Sequence, residues 1–257
     1  MKKYPLESFF LLLRFKAPPL LLWNYTRWSV SRSAGKLVRR FRGENPAPAE
    51  KMAFQQTARK GSFSTDWFDK NIDSWLEILA PYKESERFDF LEVGAWEGRA
   101  TLFLMATYPN CNVTALDTWA GADEHAALEQ TKNIEQKFDR NLASHGARLR
   151  KIKNNSLLGL PQLVHENKSY DVIYVDGSHY SDDVLHDAIN AWKLVKPGGV
   201  IIFDDFMWNH YLKKHKNPLN ALCLFLRLVP GEYQIIHQGY QLAIRRLSRE
   251  QENHQVQ

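Results

Sequence analysis

This sequence of 257 residues has few cysteines and no long apolar run. Its two cysteines, Cys111 and Cys223, stand far apart in apolar surroundings, which excludes a disulfide framework and a metal site of the usual cysteine spacing. We expect buried thiols in a reducing, cytoplasmic compartment. No segment reaches the roughly 20 uninterrupted apolar residues of a membrane-spanning helix. The pattern of a secretory signal peptide is missing as well.

Acidic residues are scarce in the first part of the chain. Residues 1–43 contain ten Lys or Arg and one acid, Glu7, so they carry +9 and the remainder carries −4, to give the net charge of +5. Two apolar clusters, Phe9–Leu13 and Leu20–Trp23, lie among these basic residues. We predict a basic, amphipathic N-terminal arm over residues 1–45.

Two interpretations of this arm remain open. Its mixture of aromatic and basic side chains favours binding to an anionic membrane surface, at the inner face of the membrane, or docking on an acidic partner. Packing on the chain's own domain is the alternative, because amphipathic patterns usually face a core. Nucleic acid is not an expected partner, since no basic-aromatic pattern of a nucleic-acid module is present. Self-association stays possible.

Proline-rich residues follow the arm and predict a linker over residues 46–63. A domain over residues 64–247 and a polar tail over residues 248–257 complete the expected organisation. Helical spacing of apolar residues from Ser64 to Leu79 predicts the first helix of the domain, which Pro81 ends.

Beyond this helix, strand and helix patterns alternate. Strands are predicted at Phe88–Val93, Asn112–Leu116, Arg148–Lys153, Tyr170–Val175 and Val200–Phe203, and helices at Arg99–Tyr108, Asp123–His145, Leu157–Glu166 and Ser181–Leu194. This order is typical of an α/β fold with a doubly wound, mostly parallel sheet. Two further apolar runs flank Gln238-Gly239 and predict a β-hairpin that adds an antiparallel strand.

The junction after the first predicted strand is the most informative motif. It has the form E-x-G-x-x-x-G, with Glu92, Gly94 and Gly98, where a dinucleotide site would have G-x-G-x-x-G. Trp96 occupies the position of the second glycine and would obstruct a diphosphate, and a carboxylate at Glu92 would repel one. The motif therefore favours S-adenosylmethionine over NAD. Asp117 ends the next strand, where an acid can bind ribose hydroxyls.

Four motifs together resemble the class I S-adenosylmethionine-dependent methyltransferases. They are the runs 91–101, Asp117, 174–180 and 194–205. More narrowly, the sequence is similar to the catechol O-methyltransferase-like branch and to bacterial sugar and antibiotic O-methyltransferases. The resemblance covers about residues 64–246 and implies a sheet of seven strands, six parallel and one antiparallel.

The resemblance also implies roles for individual residues. Around the methionine portion of the cofactor it places Glu92, Gly94 and Gly98, with Trp96 in the same turn. Asp117 would bind the ribose, Trp119 would flank the adenine, and Asn155 or Ser156 would approach the adenine edge. Asp176, Asp204 and Asp205 occupy the positions of magnesium ligands, and Asp176 also belongs to the catalytic and cofactor site.

Electrostatics supports a metal at these three carboxylates, which would repel one another without a cation. Mg²⁺ prefers such oxygen ligands. The alternative is that Asp205 only stabilises a loop while Asp204 alone faces the crevice.

His179 stands where the catechol-type enzymes carry a basic lysine. With a reference pKa near 6.5 it can accept a hydroxyl proton at neutral pH, although it could instead only hydrogen-bond its loop. His186 and His210 are lesser candidates. The predicted function is Mg-assisted O-methylation of a hydroxylated small molecule or sugar. A metal-dependent hydroxylase-like relative and a non-catalytic membrane-surface scaffold are the alternatives.

Overall fold

The computed structural model describes residues 5–42, 47–121 and 132–248, and of residues 5–6 and 31–42 it describes the backbone alone. Within these residues, seven strands form one sheet in the order β3-β2-β1-β4-β5-β7-β6. The strands are β1 (Phe88–Val93), β2 (Cys111–Asp117), β3 (Leu149–Lys153), β4 (Tyr170–Val175), β5 (Val195–Phe203), β6 (Tyr233–Gln238) and β7 (Leu242–Arg246).

Strands β1 to β5 pair in parallel, and β7 runs antiparallel to both β5 and β6. This arrangement confirms the predicted fold class and the terminal hairpin. The central strands β1 and β4 are mostly apolar and are buried at nearly every position. Such burial is expected because helices cover both faces of a parallel sheet.

The helices form a layer on each face of the sheet. Side chains of α1 (Pro5–Arg14), α2 (Pro19–Arg42), α7 (Ser156–His165), α8 (Ser181–Leu194) and α9 (Pro218–Leu228) join one core cluster. Side chains of α3 (Ala49–Ala58), α4 (Ile72–Ile78), α5 (Arg99–Thr107) and α6 (Ile134–Leu142) join the other. No described helix is both long and apolar enough to cross a bilayer.

The N-terminal arm packs on the domain, which was the second of its two interpretations. Leu12, Leu21 and Tyr25 are buried in the same core cluster as α8 and α9. The Gln238 side chain donates to the backbone carbonyl of Leu21 at 3.0 Å. The arm therefore contributes its inner side to the core.

The predicted linker is wrong over most of its length, because residues 49–58 form α3. Its Phe54 is 1% exposed and its ring lies 5.4 Å from that of Phe103. Pro48 precedes the first turn of this helix, where a missing backbone N–H does no harm, so the proline begins a helix there.

Two predicted helices differ from the observed ones. The helix expected from Ser64 to Leu79 is a 3-10 turn over Trp67–Asn71 followed by α4. Of the helix expected over Asp123–His145, the described part consists of α6 and a 3-10 turn, Ala143–Arg148. Residues 122–131 lie outside the described residues, as do residues 249–257 of the predicted tail.

Candidate functional site

A cavity of about 550 Å³ opens at the carboxyl ends of β1, β2, β4 and β5. The ends of parallel strands are the usual place for a ligand in such a sheet. Most of the residues predicted to form the site line this cavity, namely Glu92, Gly94, Trp96, Asp117, Asn155, Ser156, Asp176, His179, Asp204 and Asp205. The topology thus brings together side chains that are more than 100 residues apart in sequence.

Two predicted cofactor residues, Gly98 and Trp119, do not line the cavity. Gly98 directly precedes α5 with a φ of +80°, and a Cβ there would lie 2.8 Å from Leu142 Cδ1, so it serves the turn and the helix packing. Trp119 is 7% exposed and its ring packs 4.9 Å from that of Phe138. Trp119 thus packs beside Phe138 in this structure, and its role at the adenine stays a prediction.

Gly94 allows the loop after β1 to approach the loop after β4. Its φ is +88°, and a Cβ at this position would lie 2.0 Å from the backbone oxygen of Asp176. No side chain fits there, so glycine is required for a steric reason as well as a conformational one. This contact joins the cofactor end of the cavity to its acidic end.

Glu92 is 1% exposed and accepts a hydrogen bond from the Thr101 hydroxyl. Burial raises the pKa of its carboxyl to about 8, and the nearby charge of Asp117 acts in the same direction, against the Thr101 hydrogen bond. A carboxyl group with this pKa is mostly protonated at neutral pH. A bound ammonium group would favour the ionised form.

Asp117 is held by the backbone of the two loops beside it. Its Oδ2 accepts from the Trp96 N–H at 2.8 Å, and its Oδ1 accepts from the Trp119 N–H at 2.6 Å. Burial raises the pKa of the Asp117 carboxyl, and these backbone hydrogen bonds oppose that shift. Because each carboxylate oxygen has a second lone pair, the side chain can still accept from ribose hydroxyls.

At the acidic end, the Tyr174 hydroxyl lies 2.7 Å from Asp176 Oδ2 and 2.7 Å from Asp204 Oδ2. One hydroxyl proton cannot serve both carboxylates at once. Burial and the charges of Asp204 and Asp205 raise the pKa of Asp176 well above its usual range. Burial, followed by the charge of Asp205, raises the pKa of Asp204 as well. This cluster would be stabilised by a shared proton or a cation.

His179 pairs with Asp205 through Nε2 and Oδ2, which are 2.6 Å apart. Asp205 has a φ of +51°, in the left-handed region that Asp tolerates better than most residues. Burial acts to raise the pKa of Asp205, but the hydrogen bond and charge of His179 outweigh it, so that pKa is lowered. The His179 ring stacks on Trp208 at 4.5 Å, and Trp208 stacks on His210 at 5.1 Å.

The donor set fits a divalent cation, with one difference from the sequence prediction. Ligand atoms of Asp176, His179 and Asp205 lie within 4.8 Å of one another. Asp204 instead directs one oxygen to Tyr174 and the other to the backbone N–H of Asp205 at 2.8 Å. By this distance His179 groups with Asp176 and Asp205, whereas Asp204 stays a predicted ligand because each of its oxygens keeps a second lone pair.

The sequence analysis missed the contacts that hold the 3-10 turn over the cavity. Arg99 makes a bidentate pair with Asp69, at 2.7 and 2.8 Å. Glu97 is 1% exposed, accepts from the Ser64 hydroxyl at 2.7 Å and pairs with Lys137 at 2.7 Å. The two acceptors, Asp69 and Glu97, each bind a residue from a segment that is distant in sequence. The charged residues on either side of Gly98 were the one feature of the sequence that could have indicated these contacts.

Lys70 is a second cavity residue that the sequence did not indicate. Its ammonium lies 4.2 Å from the centre of the Tyr240 ring, and both side chains line the cavity. Its charge lowers the pKa values of Asp204 and Asp205, as a lesser contribution after burial and closer partners. Lys70 therefore offsets part of the negative charge at the acidic end.

Comparison with known proteins agrees with this geometry. Residues 91–206 match the family model described as a methyltransferase domain. A relative, uncharacterized protein R132 of Acanthamoeba polyphaga mimivirus, is 26% identical over 166 residues, which are 63% of this chain and 72% of that protein.

Three solved structures share the fold at low sequence identity. The MycE methyltransferase of the mycinamycin biosynthetic pathway, solved with Mg and SAH, has a TM-score of 0.54 and 15% identity, over 79% of this chain and 55% of that one. The O-methyltransferase TomG of Streptomyces achromogenes has a TM-score of 0.51 and 14% identity, over 79% of this chain and 92% of that one. An O-methyltransferase of Bacillus cereus with SAH has a TM-score of 0.51 and 16% identity, over 84% of this chain and 97% of that one. The chain thus spans about half the length of MycE. Residues 91–206 are thus similar to methyltransferase domains, and the chain shares the fold of these methyltransferase structures.

Proposed function

We propose that this protein transfers the methyl group of S-adenosylmethionine to a hydroxyl oxygen of a small molecule or sugar. The pairing of His179 with Asp205 at 2.6 Å, beside Asp176 in the same cavity as Glu92 and Asp117, carries this proposal. His179 would serve as the base for a hydroxyl proton at one end of the cavity. Carboxylates suited to the ammonium and ribose of the cofactor lie at the other end.

The chain's own residues would act by positioning and by proton transfer. Glu92 would bind the cofactor ammonium, Asp117 would bind the ribose, and Asn155 and Ser156 would lie beside the adenine. Asp205 would orient His179 through Nε2, and the imidazole would accept the hydroxyl proton as the methyl group is transferred. Holding the acceptor oxygen in line with the methyl group supplies most of the catalysis in such a displacement.

Magnesium fits the acidic end as an assisting ion. Asp176, Asp204 and Asp205 would hold it, since it prefers carboxylate oxygens over imidazole. When bound, the ion supplies a lower pKa for a coordinated acceptor hydroxyl. His179 then remains available as the base. In the MycE structure both Mg and SAH are present, which supports the same combination here.

The acceptor proposed here carries neighbouring hydroxyls, as sugars and polyhydroxylated rings do. Aromatic side chains border the acidic end of the cavity, with Trp208, Tyr180 and Tyr240 among its lining residues. The apolar face of a sugar or ring can pack on such side chains while its hydroxyls point to the carboxylates. One MycE structure was solved with mycinamycin VI.

Two measurements test the proposal. Calorimetry should detect binding of S-adenosylmethionine or its demethylated product and no binding of NAD. Incubation with isotope-labelled S-adenosylmethionine and a panel of vicinal diols, or a cell extract of the source organism, should label an O-methyl product. Binding of NAD without binding of either adenosyl ligand would contradict the proposal.

The hydroxylase-like and scaffold alternatives receive less support. Non-haem iron oxygenases use two imidazoles and one carboxylate, whereas the described cluster has one imidazole and two carboxylates. A scaffold would gain nothing from Asp176 and Asp204, whose pKa values burial and mutual repulsion raise. Buried like charges destabilise a fold unless they bind something.

A further inference from the structure

The two arm helices bury one side and expose the other. Leu12 and Leu21 are fully buried, while several large apolar side chains on the same helices face outward. These outward side chains are Phe10 (63% exposed), Leu13 (46%), Leu20 (49%), Trp23 (62%) and Val30 (69%), and we call them the outer arm face. Single exposed apolar residues are ordinary, but five on two joined helices need an explanation.

The spacing places the three α2 residues of the outer arm face along one stripe. On α2, Leu20, Trp23 and Val30 are separated by three and seven residues, which returns each to the same side of a helix. Arg27 falls on that stripe too and is exposed. The inner side of α2 carries Leu21 and is fixed to the domain, so the helix cannot rotate to bury the stripe.

The outer arm face also carries uncompensated positive charge. Arg14, Lys16 and Arg27 are exposed, and none of them pairs with a carboxylate among the described residues. Glu7, the one acid among residues 1–43, is already engaged by Lys214 at 3.4 Å. The exposed basic side chains of this face would therefore attract an anionic surface outside the protein.

The turn between α1 and α2 is held rigidly against the domain. Arg227 on α9 donates to the backbone carbonyls of Phe15 at 2.6 Å and Lys16 at 2.9 Å. This contact satisfies carbonyls at the end of α1. The arm thus presents its outer face as a preformed platform on the folded domain.

We propose that the outer arm face binds an anionic lipid surface, lying in the interface without crossing it. Apolar side chains beside basic ones are the pattern of helices that bind in this way. A second copy of this chain is a weaker candidate, because a two-fold interface would place two segments of +9 charge against each other. This inference does not depend on the methylation chemistry.

Sedimentation with sucrose-loaded vesicles tests the proposal on the full chain. The protein should bind vesicles of phosphatidylcholine with 30% phosphatidylserine at low salt, and bind pure phosphatidylcholine far less. Binding should weaken as salt rises, since exposed charges are screened over about 8 Å at physiological ionic strength.

Matched variants separate the outer arm face from the overall charge. The pair Lys16→Gln with Arg27→Gln should lower the partition coefficient roughly 25-fold, at about fivefold for each basic residue. The control pair Arg59→Gln with Lys60→Gln removes the same charge from the end of α3, which packs on the other face of the sheet, and should leave binding nearly unchanged.

A third variant addresses the apolar part. Trp23→Ser should lower binding roughly tenfold, whereas Met52→Ser, at an exposed position of α3, should not. Equal losses in the arm and control variants would overturn the proposal. So would absence of vesicle binding at low salt, or a dimer in analytical ultracentrifugation that Trp23→Ser dissociates.

Discussion

His179 Nε2 lies 2.6 Å from Asp205 Oδ2, and this contact links the proposed base to the proposed metal site. One carboxylate oxygen orients the imidazole, and the remaining lone pairs of the same side chain are available to a cation. His179 and Asp205 are 13% and 15% exposed, so a substrate can reach both. Substitutions at the two positions are therefore expected to differ in their effects on metal binding.

His179→Gln should lower kcat by roughly 10²- to 10⁴-fold, the usual contribution of a general base. Magnesium affinity should change little, because the three carboxylates remain. Asp205→Asn should lower both kcat and magnesium affinity, since it removes a proposed magnesium ligand and the hydrogen-bond partner of His179. Steady-state kinetics and a magnesium titration of each variant give the two values.

His210→Gln is the matched control for this experiment. His210 also stacks near Trp208 but is exposed and does not line the cavity. Its kcat should stay within a few-fold of the wild-type value. A loss as large as that of His179→Gln would assign the effect to the aromatic stack instead of to proton transfer.

Cofactor affinity should depend on pH through Glu92. Its carboxyl has a pKa of about 8 in the free protein and must lose its proton to pair with the cofactor ammonium. Affinity should therefore rise by up to tenfold per pH unit from pH 6 toward pH 8. Above pH 8 it should fall, because the amino group of the cofactor itself loses its proton near that pH.

Calorimetry in two buffers of different ionisation enthalpy measures this effect directly. At pH 7 the wild-type protein should release close to one proton on binding. Glu92→Gln should bind more weakly and release none. Equal proton release by both proteins would show that another group titrates.

The sequence predicted the central strands well because their signal is local. The strands β1 and β4 have the predicted bounds, since each is a mostly apolar run followed directly by a glycine or an acid, Gly94 and Asp176. Once a parallel sheet was predicted, the meeting of Asp117, Asp176 and Asp204 at one edge followed from topology. Most of the residues that line the cavity's acidic end could thus be predicted from the sequence.

Side-chain directions and distant contacts could not be predicted in this way. Trp119 turns from the cavity to pack on Phe138, a residue 19 positions further along the chain. Residues 49–58 become a helix because Phe54 finds a buried position beside Phe103. These packing contacts depend on which apolar surfaces the folded domain leaves uncovered, and a local sequence pattern does not contain that information.

The identity of the metal should decide activity. Excess chelator should abolish turnover, and Mg²⁺ or Mn²⁺ should restore it, because both prefer oxygen ligands. Zn²⁺ should bind but fail to restore activity, since His179 lies in the Asp176 and Asp205 cluster and imidazole is a good zinc ligand. Full turnover after verified metal removal would contradict the assignment of a metal.

The arm should contribute to folding stability through its inner side alone. Leu21 is fully buried, so Leu21→Ala should lower the free energy of unfolding by about 2–5 kcal/mol, as expected for a core cavity. Its neighbour Leu20 is 49% exposed, and Leu20→Ala should change that energy by less than about 0.5 kcal/mol. Urea unfolding with an unchanged m-value gives both numbers.

Because Leu12 and Tyr25 join the same cluster, deletion of residues 1–45 should destabilise the whole domain. A Leu21→Ala protein as stable as Leu20→Ala, or a truncated domain of wild-type stability, would show that the arm is an appendage.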